Sequence, residues 1–144
     1  MGIEQVTIGE EVRFAKTVGE YDVYGFAGIT GDFAGNHVNE AYMAKSRYGR
    51  RIAHGALLVG YMSAASTLFQ EKFGKQIGAD YAVSLGYDRV RFIAPVFIGD
   101  TIEVTYRMAR TLPEKMRTIS ELTVRNQDGE VVAAAEHILR WLPE

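Results

Sequence analysis

The sequence of 144 residues contains no cysteine. This absence excludes disulfide bonds, catalysis by a thiolate and zinc held by cysteine. A chain of this length buries most of the surface that its unfolded form exposes, so it needs neither a disulfide bond nor a metal to stabilise its core.

Proline and long apolar runs are scarce. The three prolines lie in the last third of the sequence, and no repeat or flexible linker divides it, so we expect one domain over residues 1–144. The longest run without a charged residue, Gly55 to Gln70, is shorter than the roughly 20 apolar residues of a membrane-spanning helix. The first residues include acids and lack the apolar core of a secretory signal. We therefore expect a cytoplasmic protein with no membrane partner.

An excess of charge of one sign is also missing, because the formal net charge is −2 and the pI is about 5.9. Nucleic-acid binding depends on clustered cations that neutralise phosphates. Since the sequence indicates no broad basic face, nucleic acid is not expected as a main partner.

The strongest helical pattern covers residues 54–73. Apolar residues recur there at spacings of three and four, namely Leu57, Leu58, Met62, Ala65, Leu68, Phe69 and Phe73. The other faces carry small, uncharged residues, which predicts a long helix enclosed on most sides by the second half of the chain.

The remaining segments are shorter. Alternation of apolar and polar residues predicts strands over residues 12–18, 81–92, 101–110, 117–126 and 130–141, with a hairpin turn at Asp128-Gly129. Residues 20–29 and 40–46 are expected to form short helices. This order predicts an α+β fold in which a curved antiparallel sheet wraps around a long central α-helix.

The stretch GDFAGNH places Asp32 five residues before His37, one of three histidines. The glycines of this loop allow both side chains to approach one point, where a carboxylate and an imidazole could hold a water for acid–base catalysis. The alternative is that Asp32 shapes a turn and His37 is structural.

Gly55, in the stretch IAHG, begins the long helix. Its N–H would be an unpaired donor at the positive end of the helix dipole, suited to a carbonyl oxygen that gains negative charge. The alternative is that the glycine only permits close contact between the helix and the sheet.

Three stretches together resemble the MaoC-like family of (R)-specific enoyl-CoA hydratases, which have the hotdog fold. They are GITGDFAGNH, AKSRYGRRIAHGALLVGYMSA and YDRVRFIAPVFIGDTIEV, and the resemblance runs from about residue 10 to the end. It implies that Asp32 and His37 are the catalytic pair, that the Gly55 amide binds the thioester carbonyl, and that Ser63 lines the pocket.

The resemblance further implies a hydro-lyase of fatty acid metabolism that adds water to a trans-2-enoyl-CoA in the syn sense, or reverses that reaction. Asp32 is favoured as the proton-transfer group and His37 as its partner in holding the water. The acyl-CoA is the substrate, so no cofactor is expected, and family members are typically homodimers or dimers of dimers. Ala34-Gly35 departs from the Asn-Pro usual in the family, which affects the rigidity of the loop and the choice of acyl group.

Further candidates are open to two interpretations. The cations Lys45, Arg47, Arg50 and Arg51 could meet CoA phosphates or form a solvated loop. His54 could complete a metal site with Asp32 and His37, but shaping the backbone before the helix is favoured and no metal is expected.

Two rival functions remain. One is a hotdog acyl-CoA thioesterase, which would release free thiol, and the other is a non-catalytic acyl-CoA-binding subunit, which would turn over no enoyl-CoA.

Overall fold

The computed structural model describes residues 2–142. The main elements in chain order are β1 (Glu11–Thr17), α1 (Glu20–Thr30), α2 (Gly35–Val38), α3 (Glu40–Met43), α4 (Gly55–Ile77), β2 (Tyr81–Phe92), β3 (Thr101–Leu112), β4 (Arg117–Arg125) and β5 (Val131–Leu142). Short 3₁₀ turns occupy Ile3–Gln5 and Pro113–Lys115. The predicted α+β arrangement is confirmed.

The five strands form one antiparallel sheet in the order β1-β3-β4-β5-β2. Along β3, the apolar residues at alternate positions point into the core, and the polar residues between them face outwards. Asn126 closes the predicted hairpin between β4 and β5, since its side-chain oxygen accepts the N–H groups of Asp128 and Glu130.

Helix α4 lies against the inner face of the sheet and supplies the centre of the core. Phe69 is fully buried, and its ring contacts those of Phe73, Tyr106 and Trp141. Burying a side chain of this size contributes about 2 to 3 kcal/mol. The long helix therefore forms because the sheet covers its apolar face.

Two details of α4 differ from prediction. The helix continues past Phe73 to Ile77 and ends where Gly78 adopts a left-handed conformation with φ of 76°. One face, with the small residues Ala56, Gly60, Ser63 and Thr67, stays exposed. The second half of the chain therefore encloses α4 on fewer sides than expected.

The segment between α1 and α4 is more helical and more broken than predicted. Residues 35–38, expected as loop, form a single helical turn, α2. The helix expected over residues 40–46 ends at Met43. Asn39 separates the two turns, since its side-chain oxygen accepts the Tyr42 N–H and caps α3. Among the described residues, no helix is long and apolar enough to cross a membrane.

Candidate active site

Asp32 lies in the loop that follows α1. The helix ends at Gly31, whose φ of 83° favours glycine, and the Asp32 N–H then donates to the Thr30 hydroxyl. One carboxylate oxygen of Asp32 accepts the Ala34 N–H at 3.3 Å. The side chain shapes a turn as the structural alternative expected, yet it is exposed and retains acceptor capacity.

His37 is carried by α2 and is 9% exposed. Its Nδ1 lies 2.8 Å from the carbonyl oxygen of Ile52. Because a carbonyl oxygen can only accept, Nδ1 must carry the proton of this bond. In the neutral ring, Nε2 is therefore an acceptor, and it has no partner among residues 2–142.

His54, just before α4, is 1% exposed and contacts both Asp32 and His37. Its Nε2 donates to the Asp32 carbonyl oxygen at 2.9 Å, which leaves Nδ1 buried and without a partner among the described residues. Its ring stacks on that of His37 at a centroid distance of 3.7 Å, with Phe26 on another side. His54 thus fixes the Asp32 backbone and one face of the His37 ring.

One atom each of Asp32, His37 and His54 lies within 4.8 Å of the others. A single water can bridge such a gap with two hydrogen bonds of about 2.8 Å. Two histidines and a carboxylate are also a known metal ligand set. The two rings are stacked, with planes 28° apart. The distances therefore allow either a water or an ion, and the expected lack of a metal and a cofactor stays a prediction.

Gly55 begins α4 beside this group. No acceptor among residues 2–142 meets its N–H, as expected for the first residue of a helix. The Phe92 ring lies against the glycine so closely that an added Cβ would sit 2.6 Å from it. Close contact between helix and sheet, the structural alternative for Gly55, is therefore present, together with an unpaired N–H.

His37 and Gly55 both line a cleft of about 270 Å³. Its walls come from the α2 to α4 segment and from the end of β2 with the turn that follows it, including Tyr48, Ile52, Phe92, Ile93 and Pro95. An adjoining groove of about 620 Å³ shares Asn36, Tyr48 and Ile52 with the cleft and adds Gly35, Tyr42 and Arg47. The two form one elongated depression.

Several predicted residues are not among the described residues that line this depression, namely Asp32, Ala34, Arg50, Arg51 and His54. Ala34 is exposed on the Asp32 loop. Arg50 places its guanidinium 3.9 Å from the centre of the Phe97 ring. Arg51 is 10% exposed and is held by the carboxylates of Glu20 and Glu40.

Ser63 is not among the described residues that line the cleft. It lies on the exposed face of α4. Burial raises the pKa of the nearby Tyr87 phenol, and interaction with the Ser63 hydroxyl partly offsets this rise.

A buried polar cluster around His137 on β5 was not predicted from the sequence. The His137 ring bonds to the Ser84 hydroxyl at 2.7 Å and to the Tyr106 hydroxyl at 2.8 Å, and it stacks on Tyr87. Burial lowers the pKa of His137 to about 4. The available signal was a histidine at an inward position of an alternating strand.

The sheet that wraps around α4, with a cleft at the start of that helix, defines a protein of the hotdog fold. The family model described as MaoC like domain matches residues 4–131, so the chain belongs to this family. The resemblance seen in the sequence is thereby confirmed.

Relatives of known name are similar over most of their length. The chain is 34% identical to the (R)-specific enoyl-CoA hydratase of Rhodospirillum rubrum, over 92% of this chain and 86% of that protein. It is 34% identical to the 3-hydroxybutyryl-CoA dehydratase of Methylorubrum extorquens, over 95% and 82%. The unliganded structure of R-hydratase PhaJ1 from Pseudomonas aeruginosa matches with a TM-score of 0.81 and 29% identity, over 96% of this chain and 84% of that one.

Proposed function

We propose that the protein is an (R)-specific enoyl-CoA hydratase, a hydro-lyase that adds water to trans-2-enoyl-CoA or removes it from (R)-3-hydroxyacyl-CoA. The observation that carries the proposal is the placement of the Asp32 carboxylate and the His37 ring within 4.8 Å, beside a cleft that holds the Gly55 amide. The similarity to named hydratases supports it.

In the proposed reaction, a water is held between Asp32 and His37. The unprotonated Nε2 of His37 accepts a hydrogen bond from one O–H of the water, and this hydrogen stays on the oxygen. Asp32 takes the other proton as the oxygen bonds to C3. The pair then returns a proton to C2. Because one water held by both groups would supply the oxygen at C3, and the same pair would return the proton at C2, both would reach the same face of the double bond, which gives syn addition.

Attack at C3 moves negative charge onto the thioester oxygen. The Gly55 N–H at the start of the 23-residue helix α4 would stabilise this charge, with the positive end of the helix dipole behind it. The Phe92 ring lies against Gly55 and would border the bound thioester.

The elongated depression fits a substrate with two arms. With the thioester at Gly55, the CoA arm would extend into the groove lined by Tyr42, Tyr48 and Arg47. Lys45 and Arg50 lie nearby in the chain and would meet the phosphates of CoA. Ala34, Gly35 and Ser63 would border the acyl group, and the pathway would be fatty acid metabolism in the cytoplasm.

The proposed assembly is a homodimer joined through β2. Among the strands of residues 2–142, this one lies at the edge of the sheet and pairs with β5 alone. It carries exposed apolar residues at Tyr81, Val83, Leu85 and Phe92. Pairing with a second β2 would satisfy the free backbone groups and also cover the small-residue face of α4. Leu85→Asp should convert the dimer to a monomer in light scattering, whereas an unchanged mass would contradict this interface.

The activity is tested with crotonyl-CoA and with longer, branched and dicarboxylic enoyl-CoAs. Loss of the ultraviolet absorbance of the enoyl thioester without release of free thiol supports hydration, and thiol release would instead indicate a thioesterase. Asp32→Asn should lower kcat by roughly 10²-fold or more. Binding of acyl-CoA without turnover of any substrate would favour a non-catalytic subunit.

A further inference from the structure

Arg51 makes more contacts than its place in a surface loop requires. Its Nε donates to Glu40 at 2.6 Å, Nη1 donates to Glu20 at 3.0 Å and to the Tyr24 hydroxyl at 3.4 Å, and Nη2 donates to Glu20. These bonds use four of the five N–H donors of a guanidinium. Little of the side chain is left to bind a phosphate.

The two carboxylates belong to different helices. Glu20 is the first residue of α1, which leads to Asp32, and Glu40 is the first residue of α3, which directly follows the turn that carries His37. Arg51 itself lies four residues before Gly55. One guanidinium thus joins the three segments that carry Asp32, His37 and Gly55.

Ile52, the residue after Arg51, bonds to the His37 ring through its backbone. The Ile52 N–H donates to the Asn36 carbonyl at 3.0 Å, and the Ile52 carbonyl accepts from His37 Nδ1 at 2.8 Å. On its other side, Ile52 forms a β-bridge with Phe97. The same backbone therefore sets the position of the ring and decides which nitrogen carries the proton.

We propose that Arg51 is a positioning residue of the active site, whose bonds to Glu20 and Glu40 keep His37 in the Nδ1–H tautomer and in register with Asp32 and Gly55. This inference rests on the proposed hydratase function for its kinetic consequence. It replaces the expectation that Arg51 contacts CoA. The planar fork of arginine suits this role, because lysine cannot bind two carboxylates in this geometry.

The electrostatics agree with a lasting contact. The hydrogen bond from Arg51 holds the pKa of Glu20 below its usual value, and donation to the Glu20 and Glu40 carboxylates raises the pKa of Arg51. Both side chains therefore stay charged across the pH range in which the enzyme would work.

The test compares Arg51→Gln with the double variant Glu20→Gln/Glu40→Gln. If Arg51 positions the site, both should lower kcat by about 10- to 100-fold with little change in KM, because a small displacement of reacting groups has effects of this size. If Arg51 instead binds CoA, Arg51→Gln raises KM alone, and the double variant, which frees the arginine, leaves kcat intact. The second pattern would overturn the proposal.

Arg51→Lys should lose nearly as much kcat as Arg51→Gln. A kcat equal to that of the unchanged protein would contradict the need for the planar fork of the guanidinium. The matched control is Arg13→Gln, which removes an arginine bonded to Glu11 and Glu103 on the surface of β1. It should leave kcat unchanged. If Arg51→Gln does not fold, Glu40→Gln removes a single bond and should give a smaller loss of the same kind.

A second measurement does not depend on activity. Ring-nitrogen NMR of His37 should show the Nδ1–H tautomer in the unchanged protein and in Arg13→Gln, and a mixture of tautomers in Arg51→Gln. An unchanged tautomer in Arg51→Gln would overturn the proposal even if the protein is a hydratase. A mixture would support it even if no substrate is found.

Discussion

The chain buries its three histidines in two regions that differ in how their ring nitrogens are used. On β5, both nitrogens of His137 are bonded, to Ser84 and Tyr106. Beside the cleft, His37 and His54 each bond one backbone carbonyl and keep one nitrogen without a partner among residues 2–142.

This difference distinguishes a fully bonded histidine from two that each keep one nitrogen available to a ligand. An unpaired polar atom that is buried costs about 1 to 3 kcal/mol, and the stacked pair carries such an atom in His54 Nδ1. Both nitrogens of His137 are bonded, although its side chain is more completely buried than that of His37. Burial alone therefore does not distinguish the candidate site, and the feature that does is an unused ring nitrogen beside the exposed Asp32 carboxylate.

The largest effect is expected for His37→Ala. Removing the group that holds the water should lower kcat by about 10²- to 10⁴-fold, the range of a lost acid–base group. The folded structure should persist, since among residues 2–142 the ring has one hydrogen bond, to Ile52, and one stacking contact, with His54. Circular dichroism and steady-state kinetics on crotonyl-CoA check both parts, and a kcat near that of the unchanged protein would remove His37 from the mechanism.

The second effect concerns the pH dependence of stability. Because burial lowers the pKa of His137 to about 4, the folded protein binds this proton less readily than the unfolded chain. The neutral His137 side chain therefore contributes fully to the free energy of unfolding above the ordinary pKa of about 6.5. This contribution, about 3 kcal/mol in total, is lost as the pH falls towards 4. Urea unfolding at several pH values measures the loss.

The variant that isolates this contribution is His137→Phe, which cannot take up a proton. Between pH 7 and pH 4 it should lose about 3 kcal/mol less stability than the unchanged protein. Equal losses of stability in the two proteins would show that His137 does not control the fall in stability at acid pH.

At neutral pH, the same His137→Phe change should act on stability and not on catalysis. It leaves the buried Tyr106 hydroxyl without its imidazole partner, which should cost about 1 to 3 kcal/mol in the free energy of unfolding. The kcat of the folded protein should match that of the unchanged enzyme. A large fall in kcat at full stability would mean that the two histidine regions are not separate in function.

The fold was predictable because its signals are periodic and local. The alternation along β3 and the spacing along α4 depend only on which residues face the core, and the β2 bounds agree at both ends. The end of α4 was missed because Gly74, which would weaken an exposed helix, lies close to Ala79 and Trp141. That contact exists only in the folded chain.

The sequence indicated which residues form the candidate site better than it indicated the hydrogen bonds between them. The resemblance singled out Asp32, His37 and Gly55, whose roles stay predictions, and the structure brings them together. The hydrogen bonds from His54 to Asp32 and from His37 to Ile52 join residues 22 and 15 positions apart, which no local pattern reveals. For the same reason Arg51, grouped by sequence with a basic loop, turned out to be bonded to two distant glutamates.

The smallest effect tests how firmly the catalytic loop is held. Gly35 is the first residue of α2, where proline is well tolerated, its N–H has no acceptor among residues 2–142, and Ala34 before it already has φ of −59° and ψ of 142°. Gly35→Pro should therefore stabilise the protein by about 0.4 to 1 kcal/mol by restricting the unfolded chain.

The matched control lies in the same loop. Gly31 has φ of 83°, so Gly31→Ala should destabilise the protein by about 1 kcal/mol while Gly35→Pro stabilises it. Thermal unfolding compares the two variants. If Gly35→Pro also lowers kcat for some acyl groups and not for others, the freedom of this loop contributes to substrate choice, because α2 carries His37 two residues later. Equal kcat ratios across all enoyl-CoAs would confine the effect of Gly35 to stability.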